Sequence, residues 1–196
     1  MADQLKGKRV AALATHGFEQ DELLRPRKAL EDAGAKVDIV SPESGKIRGW
    51  KHKQWGDEVS VDRTLDQAKP SDYDALLLPG GVMNPDRLRM DLKAVQFVKH
   101  FFDEGKGIAA ICHGPWTLVE AGVVRGVKIT SWPSLKTDLT NAGAQWVDQE
   151  VVVDRGIVSS RKPDDIPAFN RKMLEEFAEG RHGGGGRREL AGAHHA

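Results

Sequence analysis

Residues 106–122 read KGIAAICHGPWTLVEAG. The first part, KGIAAIC (106–112), is a short apolar run of strand length. The second, GPWTLVEAG (114–122), places Pro115 near a helix's first turn and Gly122 past its end. A strand turning this sharply into a helix, with Cys112 at the corner, is the nucleophile-elbow arrangement built around a thiol instead of a hydroxyl. The helix N-terminus favours thiolate, and Gly114 fits a turn that brings backbone close to backbone. The pattern is A-x-C-x-G, with Ala110 where a stricter elbow has glycine.

Outward from this turn, short apolar runs alternate with amphipathic segments. DLKAVQFVKHFFDEG (91–105) has helical spacing at Val95, Val98, Phe101 and Phe102, and YDALLLPGG (73–81) reads as a strand. RVAALAT (9–15) and AKVDIVS (35–41) read as strands around a helix over 21–34, with a kink expected at Pro26. EVVVDRGIVSS (150–160) reads as two short strands joined at Asp154-Arg155-Gly156, followed by a last helix over 164–180. Such alternation predicts an α/β fold with a mostly parallel sheet. Residues 42–61, with Gly45, Gly49 and Gly56, break the rhythm and predict a β-hairpin excursion.

The 196 residues suit one compact domain, expected over 1–179. The Gly/Arg/His-rich stretch 180–196 reads as a flexible tail. One cysteine excludes an internal disulfide framework and a cysteine-based zinc cluster. Lys+Arg and Asp+Glu balance at 29 each, so no global charge draws the chain to nucleic acid or an anionic membrane. No stretch has the roughly 20 apolar residues of a membrane span, and no apolar signal region opens the chain. With a free thiol, this predicts the reducing cytoplasm. No cofactor is expected, because Pro79-Gly80-Gly81 lacks the Lys-Ser/Thr of a phosphate loop and no G-x-G-x-x-G follows the first strand. No metal is expected, because His16, His52 and His100 lack ligand spacing.

In an open α/β sheet, ligands bind beyond the carboxyl ends of the strands. Three loops fall there: His16–Gln20, Gly80–Asp86 and Cys112–Gly114. They bring candidates Glu19, Gly80, Gly81, Asp86, Cys112 and His113. Backbone N–H groups at Gly81 and His113 are candidate oxyanion donors. Other roles stay open at this point: Glu19 also suits a helix's first turn, and Asp86 a loop or an N-cap. Trp116, one turn past Cys112, is placed to wall the site.

AAICHGPWTL (109–118), LLLPGG (76–81), GFEQDEL (17–23) and the run from Thr130 to Phe169 together resemble the PfpI intracellular protease family, within the ThiJ/PfpI superfamily. The resemblance spans residues 8–179. It implies a flavodoxin-like three-layer sandwich, with Cys112 as nucleophile, Glu19 hydrogen-bonded to its sulfur and His113 beside it. In protease-like members a glutamate from a neighbouring subunit completes a Cys-His-Glu triad within dimers or larger rings. The matching position here is Asp86, one methylene shorter. The activities implied are peptide hydrolysis or repair of glyoxal- and methylglyoxal-modified groups, in a stress-related setting. The substrate would be a small carbonyl compound or a peptide. The alternative is a low-turnover redox sensor whose accessible Cys112 oxidises to sulfenic or sulfinic acid. A glutamine amidotransferase-like domain shares the elbow but needs a late histidine, and none lies between Ser159 and Ala168.

Overall fold

The protein is described here from a computed structural model covering residues 3–182. Most of the expected tail, residues 183–196, lies outside the described residues. In chain order the strands and helices are β1 (Arg9–Leu13), β2 (Phe18–Glu19), α1 (Gln20–Asp32), β3 (Lys36–Ser41), β4 (Lys46–Lys51), β5 (Gln54–Ser60), β6 (Arg63–Thr64), β7 (Ala75–Leu78), α2 (Met83–Leu88), α3 (Leu92–Asp103), β8 (Gly107–Ile111), α4 (Pro115–Glu120), β9 (Lys128–Ile129), α5 (Lys136–Asn141), β10 (Gln145–Trp146), β11 (Val152–Asp154), β12 (Ile157–Ser160) and α6 (Ile166–Glu179).

The main sheet runs β11-β12-β8-β7-β1-β3-β6. Every pairing in it is parallel except β11 with β12. Its five central strands, β3-β1-β7-β8-β12, follow the flavodoxin-like order, with the connection reversing direction between β1 and β7. Because side chains alternate along a strand, each central strand feeds two cores. Ala11, Leu13, Leu76, Leu78, Ile108 and Ala110 join Phe97 and Phe101 of α3 on one face. Val10, Ala12, Leu77, Ala109 and Ile111 join Leu23 and Leu30 of α1 and Phe169 and Met173 of α6 on the other. The result is the expected three-layer sandwich.

The excursion over 42–61 is the expected hairpin: β4 pairs antiparallel with β5 across a two-residue turn at His52-Lys53. It also does something the sequence did not suggest. β4 pairs in parallel with β2, placing Gly49 opposite Phe18 and Trp50 opposite Glu19. Gln20 exchanges two hydrogen bonds with Asp57, at 3.1 and 2.7 Å. The hairpin therefore braces the chain where it enters α1. That helix continues through Pro26. The segment after Gly81, expected as loop, is helical from Met83 to Leu88.

Candidate active site at the carboxyl ends of β1, β7 and β8

Cys112 follows β8 with φ 62°, the left-handed region that a residue with a Cβ rarely adopts. Such a conformation costs of order 1–3 kcal/mol and persists where surrounding bonds over-determine it. Here the Cys112 N–H donates to Ser160 O at 3.0 Å, the Trp132 N–H donates to Cys112 O at 2.9 Å, and the Gly114 N–H returns to Ile111 O at 2.9 Å. These bonds hold the corner and present the sulfur at the sheet's carboxyl edge. The thiol is only 7% exposed.

The loop after β7 closes against it. A Cβ on Gly80 would meet Glu22 Oε2 and stand 2.7 Å from Cys112 Cβ, so only glycine fits there. A Cβ on Gly81, at φ 78°, would stand 2.6 Å from Gly17 O and 2.7 Å from the Glu19 N. Pro79-Gly80-Gly81 is thus a close-approach device between two loops. Asn84, wholly buried in α2, ties them together: its Oδ1 accepts from the Thr15 N–H at 2.8 Å, and its Nδ2 donates to Pro79 O at 3.1 Å and Gly80 O at 3.3 Å.

The acid beside the sulfur is Glu22, not Glu19. Glu19 is the N-cap of α1, where its Oε2 accepts from the Glu22 N–H at 2.8 Å. The acid that the structure places beside Cys112 is Glu22, one helical turn further on, while Glu19 is spent on the cap. The Glu22 side chain has no solvent exposure, packs with Cys112 around Gly80, and accepts from the Gly80 N–H at 2.9 Å. Burial, with Glu19 nearby as a second acid, pushes the Glu22 carboxyl up to about 8. Burial and the facing carboxylate push the Cys112 thiol well above its usual range, while the N–H groups of Gly81 and His113 oppose that by favouring the thiolate. Two acids this close titrate as a pair, and ionising one opposes ionising the other. When Glu22 holds the proton, its charge no longer opposes the thiolate, and the two N–H groups remain to stabilise the sulfur. The expectation of a simple low-pKa thiol at a helix N-terminus is corrected to this coupled pair.

His113 turns back toward the sulfur, with Nδ1 3.2 Å from Sγ. Its ring lies edge-on to Trp116 at 5.0 Å and stacks on Trp132 at 6.2 Å. Burial lowers its pKa to about 4, so the imidazole is neutral at neutral pH. Its Nε2 faces Ser134 Oγ at 3.5 Å. Asp86 lies on the exposed side of α2, and no hydrogen bond joins it to His113 within the chain. The structure thus brings together Cys112, His113, Gly80 and Gly81 as expected, adds Glu22, Asn84, Trp132 and Ser134, and leaves Glu19 and Asp86 outside the contact. A signal for Glu22 is present in the sequence. It falls on the same helical stripe as Leu23, Pro26 and Leu30, all buried, and a lone acid on an apolar stripe points to function.

Known proteins resemble this chain over most of its length. General stress protein 18 of Bacillus subtilis is 47% identical over 169 residues, covering 86% of this chain and 96% of that one. Deglycase PH1704 of Pyrococcus horikoshii is 47% identical over 167 residues, covering 85% and 98%. Among solved structures, a two-domain protein from Anabaena variabilis with DJ-1/ThiJ/PfpI-like and ferritin-like domains superposes with a TM-score of 0.82 at 33% identity. The match covers 91% of this chain and 49% of that one. The DJ-1/PfpI family profile matches residues 8–176, from the start of the sheet to the last turns of α6, and the chain belongs to that family.

Proposed function

We propose that this chain is a stress-related, cysteine-dependent hydrolase of the deglycase type, acting on small carbonyl compounds or glyoxal-modified groups. The observation that carries this reading is the Glu22–Cys112 pair, set against the N–H groups of Gly81 and His113 at a strained elbow. The thiol proton passes to Glu22, and the thiolate adds to a carbonyl carbon. The developing oxyanion takes up the Gly81 and His113 N–H groups, and Glu22 returns the proton to that oxygen. In a dicarbonyl adduct, a base moves the proton from the carbon bearing sulfur to the neighbouring carbonyl carbon, which leaves a thioester. Neutral His113 is placed to accept a proton from the water that hydrolyses it, releasing a 2-hydroxy acid and the Cys112 thiol.

The buried thiol suits a small carbonyl better than a folded protein substrate. It also weakens the redox-sensor alternative, which needs an accessible thiol of low pKa. Asp86 reaches a His113 only if it comes from a second copy. Val82, Met90 and Leu92 are 56, 84 and 69% exposed around α2, and an apolar patch there suits burial between copies. No helix among the described residues is long and apolar enough to cross a membrane, and the single free thiol suits a reducing cytoplasm. The test is methylglyoxal turnover by Cys112→Ser. Turnover should fall to the uncatalysed level in a protein that keeps its circular-dichroism spectrum; retained turnover would overturn the proposal.

A further inference from the structure

Pro79, Gly80 and Gly81 run past both acids of the site, and their peptide planes decide what those acids meet. A trans peptide is planar, so its C=O and its N–H point in opposite directions. Whatever grips the carbonyl therefore aims the amide. The Pro79 C=O and the Gly80 N–H belong to one plane, the Gly80 C=O and the Gly81 N–H to the next, and both bonds are trans.

One side chain grips both carbonyls. The Asn84 Nδ2 donates to Pro79 O at 3.1 Å and to Gly80 O at 3.3 Å, while its Oδ1 accepts from the Thr15 N–H at 2.8 Å. A wholly buried amide is thus fully used, and turning it over would set its oxygen against two carbonyls and its NH₂ group against an N–H. On the far side of the first plane, the Gly80 N–H meets Glu22 Oε2 at 2.9 Å. On the far side of the second, the Gly81 N–H favours the charged forms of Cys112 and Glu22. The Glu19 N–H adds a further hold on Gly80 O, at 3.2 Å. The grip matters because the second plane is flanked by two glycines, which let it rotate at little steric cost. Rotated, it would turn the Gly80 carbonyl toward the sulfur, where an oxygen opposes the charge that an N–H stabilises.

We propose that Asn84 is the positioning residue of this site: its one amide group holds two successive peptide planes, aiming the Gly80 N–H at Glu22 and the Gly81 N–H at Cys112 and the oxyanion formed beside it. The hydrogen bonds of Asn84 reach neither acid, so it acts only through the two glycines and Pro79. Its catalytic consequence rests on the Cys112 chemistry proposed above; its effect on thiol ionisation does not.

The test follows alkylation of the full chain by iodoacetamide against pH, which reports on Cys112 because the chain has one cysteine. Asn84→Ala should move the midpoint of alkylation up by roughly one pH unit, as the thiolate loses a well-aimed donor. With methylglyoxal, kcat should fall about tenfold to 1,000-fold and KM stay within a few-fold, because the donor acts on charge that develops in the transition state. If Asn84→Ala fails to fold, Asn84→Ser decides: its hydroxyl suits the start of a helix but is too short to span both carbonyls, and the same shifts are expected. A lowered melting temperature with an unchanged alkylation midpoint would make Asn84 a structural tie and overturn the inference. A raised KM with unchanged kcat would overturn it too. A shifted midpoint in a protein whose Cys112→Ser variant still turns over methylglyoxal would uphold the role of Asn84 and overturn only the proposed activity.

Discussion

The turn from β8 into α4 and the turn from β1 into α1 both deliver a side chain to the site, by different means. The first is local: Ile111 to Pro115 contain the corner, the nucleophile, the imidazole and the tight return bond. The second is assembled from a distance. β2 is held by β4, Gln20 by Asp57, and the Gly17–Glu19 backbone is pressed against Gly81. Only with these in place does α1 start at Gln20, and only that start puts Glu22, rather than Glu19, against the sulfur. A local turn keeps its chemistry through backbone strain, whereas an assembled one keeps it through helix register. Register is set by the cap, so the cap residue and the site residue are different glutamates three positions apart.

The sharpest way to break that comparison is to remove each carboxylate in turn. Glu22→Gln keeps the shape and an acceptor for the Gly80 N–H but cannot exchange a proton with Cys112. Turnover of a carbonyl substrate should fall about 100-fold to 10,000-fold, the usual contribution of a positioned acid–base group. Glu19→Gln should leave turnover within a few-fold of the parent. Equal losses in steady-state kinetics would erase the distinction between the two acids.

The same distinction has a thermodynamic form. The Glu22 carboxyl is raised from 4.5 to about 8 in the fold. The stability this confers is fully present below 4.5. Between 4.5 and 8 the unfolded chain releases a proton that the folded chain keeps, so stability falls as pH rises through that window. His113, lowered from 6.5 to about 4, acts in the opposite sense: its contribution is lost as pH falls through that range. Urea denaturation across 4.5 to 8 should show a decline of a few kcal/mol attributable to Glu22. Glu22→Gln should remove that decline while leaving the His113 contribution. A variant with the parent's full pH dependence would place the proton elsewhere.

These differences explain what could be read before the structure was known. The strand–Cys–His–Gly–Pro–helix run fixes its own geometry within a few residues, so the pairing of Cys112 with His113 at the corner was legible. The mostly parallel character of the sheet was legible too, because strands buried on both faces leave unbroken apolar runs such as ALLL and GIAAI. Glu22 was missed because two acids in one first turn are equivalent by composition, and the hairpin that sets the register is about 30 residues away in sequence. Asn84 was missed because Asn-Pro reads as a turn, while its amide actually spans two loops from inside a short helix. Asp86 was chosen by position, and within one chain its exposed side chain reaches no other site residue.

The smallest predicted effect tests the capping half of the comparison. Glu19 accepts a single hydrogen bond, from the Glu22 N–H, and glutamate is not among the favoured N-caps. Glu19→Ala should therefore cost roughly 1 kcal/mol, seen as a fall of a few degrees in melting temperature. Glu19→Ser, with a preferred capping hydroxyl, should recover that loss or exceed it. Neither should change the pH dependence of turnover by more than the removal of a nearby negative charge explains. That charge is the second cause raising the Glu22 carboxyl, so its loss should move the Glu22 titration slightly downward. If Glu19→Ser restores the melting temperature but not the parent's turnover, the cap would be setting the register of Glu22 through its own side chain. The two glutamates would then be one device instead of two.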